Sequence, residues 1–196
     1  MSMRRMVCTL AVLFLSACAG IGTPMSPDAW QPASPTLPTF HASGRLAVKS
    51  DLNKGSYAGF DWERGNSSQT VSVNTPLGNT VGQLCRDAHG VVAQNARGER
   101  FQAADSETLS LQLTGFAVPL DYLDMWTLGF YHPQDPHRIA PDGSLQQAGW
   151  VIRRELNSEM STPRNLSLSR DGLSIRMVFD DFTLHTPDTA AVCPQR

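Results

Sequence analysis

Histidine, cysteine and the carboxylates are the side chains here that could do acid–base, covalent or metal chemistry. The five histidines, His41, His89, His132, His137 and His185, are scattered along the 196 residues. Only "HPQDPH" gathers candidates, His132, Asp135 and His137. Its two prolines and irregular spacing suit a surface loop better than a metal site. There is no Gly-x-Ser-x-Gly elbow, no His-Glu-x-x-His helix and no glycine loop to cradle a phosphate. The acidic pair Asp180 and Asp181 closes a strand and reads as solvated. These observations point away from an enzyme, a metal and a bound cofactor.

Of the four cysteines, Cys18 has the most informative neighbours. Arg4 and Arg5 precede an apolar run over residues 6–15, too short to span a bilayer, and small residues follow. This is the three-part form of a secretion signal over residues 1–17. Residues 15–18, Leu-Ser-Ala-Cys, fit the bacterial lipobox, which implies cleavage before Cys18 and its acylation. Several acyl chains on one cysteine give a firm anchor. The next residue is Ala19 rather than the aspartate that favours inner-membrane retention in enteric-type bacteria, so the outer membrane is expected, facing the periplasm. Removal of residues 1–17 takes away two arginines and no acids, which leaves 14 basic and 18 acidic residues, a charge of −4. That is no footprint for nucleic acid. Cys85 and Cys193 are left for a disulfide, which the periplasm permits. Sequence does not show whether their Cα atoms come within range, and two free thiols are the alternative.

The elements that must position any site come next. Residues 18–39 hold five of the 13 prolines and read as a tether, extensible to roughly 60 Å. From Gly44 the chain takes a period of two. "GRLAVKS" alternates Leu46 and Val48 with Arg45 and Lys49. Ala58, Phe60 and Trp62 share one face of the next strand, and Val71 and Val73 one face of the next. The period then lengthens. Leu109 and Leu113 lie four apart, with Asp105 as N-cap and Gly115 as stop. Leu120, Leu123 and Trp126 lie three apart, between Pro119 and Gly129. Strands resume and end in "LSIRMVFDDFTL". About ten antiparallel strands with two inserted helices are expected over residues 40–184, followed by a tail over 185–196. Such strands can form a filled sandwich or wrap a cavity, and periodicity alone does not choose.

The landmarks "GRLAV", "FDW", "NTPLG", "LTGFAVPL", "MWTLG", "GW" and "LSIRMVFDDF", in this order after a lipobox, resemble the LolB family. The resemblance spans most of residues 43–184. It implies an incomplete antiparallel β-barrel, LolA/LolB-like, with a helical lid enclosing a hydrophobic cavity for acyl chains. It makes Phe60, Trp62, Phe116, Leu123, Trp126 and Trp150 candidates for the lining. It implies a monomeric receptor that takes lipoprotein cargo from the periplasmic carrier LolA and inserts it among outer-membrane phospholipids, without nucleotide hydrolysis. Family members carry a helix before the first strand. Here Pro32, Pro35 and Pro38 interrupt that region, so at most one turn near residues 28–30 is expected.

The stretch "NTPLGN" raises a separate question, because a hairpin tip is normally polar. Pro76 suits the second turn position and Gly78 the fourth, leaving Leu77 near the tip. The matching leucine of the family protrudes and is needed to deliver cargo. One reading is that Leu77 dips into lipid; the other is that it folds back over the barrel edge. Two further classes stay open for the chain: an outer-membrane lipoprotein binding another hydrophobic ligand without LolA, and a structural lipoprotein with a filled core.

Overall fold

The computed structural model describes residues 29–51, 53–114, 116–159, 161–185 and 193. The signal segment, Cys18, Gly115 as a helix stop and most of the tail lie outside the described residues. The strands are β1 (Gln31–Pro32), β2 (Thr39–Ser50), β3 (Asn53–Arg64), β4 (Ser68–Asn74), β5 (Thr80–Asp87), β6 (Gly90–Asn95) and β7 (Arg100–Ala103). Two helices follow, α1 (Ser106–Thr114) and α2 (Leu120–Leu128). The chain continues through β8 (Phe130–Tyr131), β9 (His137–Ile139), β10 (Leu145–Gln147), β11 (Trp150–Leu156), β12 (Pro163–Arg170) and β13 (Leu173–His185).

Eleven strands form one antiparallel sheet in the order β7-β6-β5-β4-β3-β2-β13-β12-β11-β10-β9. The edge strands β7 and β9 do not pair with each other, so the barrel is incomplete, as expected. The short pair β1–β8 is parallel and separate. Between β2 and β13 the register shifts at Phe179/Asp181, which is a β-bulge. Gly44 sits opposite. A Cβ there would lie 2.0 Å from the Val178 carbonyl oxygen, so only glycine lets the two backbones approach.

Helix signals act where expected. The Asp105 carboxylate accepts from the Thr108 amide (2.8 Å) and hydroxyl (2.9 Å), capping α1. Gly129 ends α2 in the left-handed region at φ 88°. The helices differ in how they are held. Leu120, Leu123 and Trp126 of α2 belong to the main core. Leu109 of α1 belongs to a small separate cluster with Val91 and Ala93.

The first long strand, β2, begins at Thr39, not Gly44, because Phe40 and Ala42 continue the inward face and are fully buried. The described part of the expected tether, residues 29–39, also lies on the domain. Trp30 is buried, its Nε1 donates to the Gly143 carbonyl (2.9 Å), and the Arg154 guanidinium faces its ring. The Gln31 amide donates to Gly129 (3.0 Å) and Ala33 to Tyr131 (2.8 Å). Residues 29–38 contain no helical turn; Pro32 completes β1 instead. Proline breaks a helix but is tolerated at a strand edge.

Candidate functional site: an apolar chamber and its rim

The interior of the barrel is divided. Along β2 and β3 the positions Phe40, Ala42 and Trp62 are packed solid, whereas Leu46, Val48, Ala58 and Phe60 face open space. That space is a chamber of about 220 Å³. Val71, Val73 and Leu84 extend its wall through β4 and β5, and Ile175 and Met177 close it from β13. Ser110, Phe116, Val118, Leu120 and Leu123 form the roof. No charged side chain lines it. The Ser110 hydroxyl is occupied, donating to the Glu107 carbonyl (3.2 Å) and accepting from the Val118 amide (2.8 Å). With no charge and, besides Ser110, only the Ser56 hydroxyl in its lining, the chamber favours what gains from leaving water, and aliphatic chains fit that description.

Of the six residues expected to line the cavity, Phe60, Phe116 and Leu123 do so. Trp62, Trp126 and Trp150 do not, because each fills solid core and spends its indole N–H on a partner. Trp62 Nε1 donates to Gln69 (3.0 Å), whose amide nitrogen donates to the Leu120 carbonyl (2.9 Å). Trp126 Nε1 donates to Gln147 (3.1 Å). Trp150 lies under the start of α1, where its Nε1 donates to Glu107 (3.0 Å).

That last contact belongs to a clasp the sequence did not reveal. Arg170 donates to both Glu107 oxygens, at 3.0 and 2.7 Å, and stands 4.3 Å over the Trp150 ring. It ties the first turn of α1 to β11 and β12. The other side of α1 is tied through Asp121, which accepts from the Ser106 amide (3.1 Å) and hydroxyl (2.7 Å) and pairs with Arg86. Burial raises the Asp121 pKa, but the Ser106 hydrogen bonds and the Arg86 charge outweigh it and hold the carboxyl below its ordinary value.

The rim carries the hairpin between β4 and β5. The Gly78 amide donates to Thr75 (2.9 Å) and Thr75 to Asn79 (2.8 Å), with Gly78 at φ 86°. Pro76 and Leu77 are thus the two central turn residues. Leu77 is 89% exposed and does not fold back over the barrel. It stands four residues beyond Val73, so the chamber wall runs directly into the hairpin.

Other sequence candidates fall elsewhere. His132 Nδ1 approaches Asp135 (3.2 Å), and His137 stacks on Tyr131 at 3.9 Å. Tyr122 donates to Asp135 (2.8 Å); burial and that carboxylate push its pKa up to about 12. Tyr122, Asp135 and His137 border a wider, open groove of about 840 Å³ beside β9–β11, whose mixed polar lining does not suit an acyl chain. Cys85 and Cys193 form a disulfide with Cα atoms 5.4 Å apart, which fastens Cys193 to β5. Among the described residues no helix is long and apolar enough to cross a membrane.

An unclosed antiparallel barrel, roofed by two helices over a chamber with no charged lining, defines the class as a LolA/LolB-like half-barrel. The chain belongs to the family of outer membrane lipoprotein LolB, whose model matches residues 38–182. It is 40% identical over 195 residues to the outer-membrane lipoprotein LolB of Neisseria meningitidis serogroup A, covering 99% of both chains. It is 36% identical to that of Chromobacterium violaceum, covering 89% of this chain and 96% of the other. Among solved structures it is similar to a LolA superfamily protein from Nitrosomonas europaea, with TM-score 0.46, 10% identity and coverage of 76% and 87%. It is also similar to a DUF1329 family protein from Desulfovibrio piger, with TM-score 0.47, 8% identity and coverage of 76% and 86%. As a member of the LolB family, the chain is a lipoprotein of the outer membrane.

Proposed function

We propose that this protein is the outer-membrane receptor that accepts lipoproteins from the periplasmic carrier LolA and inserts them into the bilayer. The observation that carries the proposal is the apolar chamber whose wall continues into a hairpin exposing Leu77. Cys18 anchors the protein by its acyl chains, and the domain works as a monomer.

The physics of the cargo dictates the route. Burying an acyl chain is worth about 0.8 kcal/mol per CH₂, on the order of 12 kcal/mol for a 16-carbon chain. Free passage through water is therefore too slow, and cargo moves between apolar chambers placed mouth to mouth. A tenfold preference for this chamber requires only about 1.4 kcal/mol, and no nucleotide hydrolysis. The chamber as it stands is smaller than the roughly 300–1,000 Å³ typical of ligand pockets, so the roof must move to admit cargo. The moving part is α1, outside the main core and held by the Glu107–Arg170 clasp; α2 stays. Leu77 then dips into the lipid surface and couples the chamber to the bilayer.

Cargo transfer tests this directly: the mature chain with Cys18→Ser is mixed with a loaded carrier, and cargo is followed by affinity separation. The receptor reading is falsified if no lipoprotein changes hands.

A further inference from the structure

At the foot of the Leu77 hairpin, on the outer wall of the barrel, lies a second groove of about 520 Å³. We propose that it binds the headgroup of a zwitterionic phospholipid at the bilayer surface, with Arg45 facing the phosphate and Asp61 and Asp180 facing the ammonium. This rests on the reading that Leu77 enters the membrane.

The groove exists because Gly59 has no side chain. Gly59 pairs with Arg45 on β2 and with Asn74 on β4, so the three share the outward face. Tyr57 and Asp61 flank Gly59 on that face at the strand period of two. Thr75, Pro76 and Gly78 of the hairpin form the adjoining wall. Leu77 therefore cannot enter the acyl region without bringing the groove to headgroup level.

The chemistry there is that of a membrane interface. Tyr57 is 69% exposed on the outer surface, and amphipathic aromatic rings concentrate at headgroup depth. The Arg45 side chain is 70% exposed and presents Nε and Nη2 to Asp180 at 3.2 and 2.8 Å. Asp61 accepts from the Asn74 amide. One guanidinium beside two carboxylates disfavours a purely anionic headgroup. It suits a phosphate and an ammonium joined by two carbons, a ligand that carries both signs close together.

Gly59 also supplies the test. Its φ is not positive, and an added Cβ would meet nothing nearer than 3.7 Å, so Gly59→Val fills the groove without strain and suits a strand. The mature chain with Cys18→Ser is floated with vesicles of either mixed phosphatidylcholine and phosphatidylethanolamine or phosphatidylglycerol alone. Wild type is expected to bind the first about fivefold more tightly, equivalent to about 1 kcal/mol. Gly59→Val and Arg45→Gln are each expected to remove that preference, with melting temperature and cargo acceptance unchanged. Equal binding of wild type to both vesicles, or an undiminished preference in both variants, overturns the proposal. Leu77→Glu separates the two levels. If it lowers binding to every vesicle while the groove variants change nothing, only the headgroup site falls. If it too binds like wild type, the membrane role of the hairpin falls with it.

Discussion

Arg170→Met should open the roof without unfolding the barrel. The substitution keeps an aliphatic stem over Trp150 and removes the fork that holds both Glu107 oxygens. The pair is half-buried, its side chains 22% and 32% exposed, so it lies between the 0.2–1 kcal/mol of exposed pairs and the 3–5 kcal/mol of breaking buried ones; about 2 kcal/mol is reasonable. Because Leu109 sits in the small cluster apart from the main core, that loss falls on α1 alone. An equilibrium constant for α1 opening should rise about 30-fold. Amide hydrogen exchange reads this as faster exchange over residues 106–113 with unchanged rates in β2 and β13. Stopped-flow uptake of a fluorescent fatty acid should accelerate in parallel. Exchange that quickens evenly across the sheet, or uptake that stays at the wild-type rate, would refute a gate at α1.

Three further outcomes are expected. Cys193→Ser opens a loop spanning 108 residues and should cost up to about 4.7 kcal/mol, read as a lower unfolding midpoint in denaturant; an unshifted midpoint would mean the disulfide constrains nothing. Trp62→Ala empties solid core and should destabilise by about 3–5 kcal/mol, while Phe116→Ala at the half-buried roof should cost far less and increase fatty-acid uptake; equal losses would contradict the division of the interior. The Asp121 carboxyl is held below its ordinary pKa, so its contribution is complete above about pH 4 and is lost as pH falls through the lower folded value. Asp121→Asn should therefore flatten the fall in melting temperature below about pH 4, and an equally steep fall would assign the acid sensitivity elsewhere.

The parts legible in the sequence are those that local rules decide. Alternation in β2, β3 and β13 follows from one wet and one dry face. Asp105 and Gly129 bound their helices because orphan amides and carbonyls need partners wherever the helix lies. The Pro76–Gly78 turn exposes Leu77 by backbone geometry alone. What escaped is non-local. Phe60 and Trp62 share one face and read alike, yet Phe60 borders the chamber while Trp62 fills core, edge-on to Phe40 and tied through Gln69 to the Leu120 carbonyl. Glu107 and Arg170 are 63 residues apart and carry no motif. The prolines of residues 29–38 imitate a free linker, while Trp30 and Leu37 are buried and Trp30 bonds to Gly143, 113 residues later. The alternation of Phe40 and Ala42 was present but followed directly on Pro38, which concealed the start of the first strand.

The central claim is that one domain both accepts cargo and delivers it, and that Leu77 serves only the second step. Its most direct test mixes the loaded carrier with the mature chain carrying Cys18→Ser, with and without Leu77→Glu, and then adds liposomes. Both proteins should take the cargo, and only the one with Leu77 should pass it to the bilayer. Delivery by the glutamate variant at the wild-type rate, or failure of both proteins to accept cargo, would contradict the account.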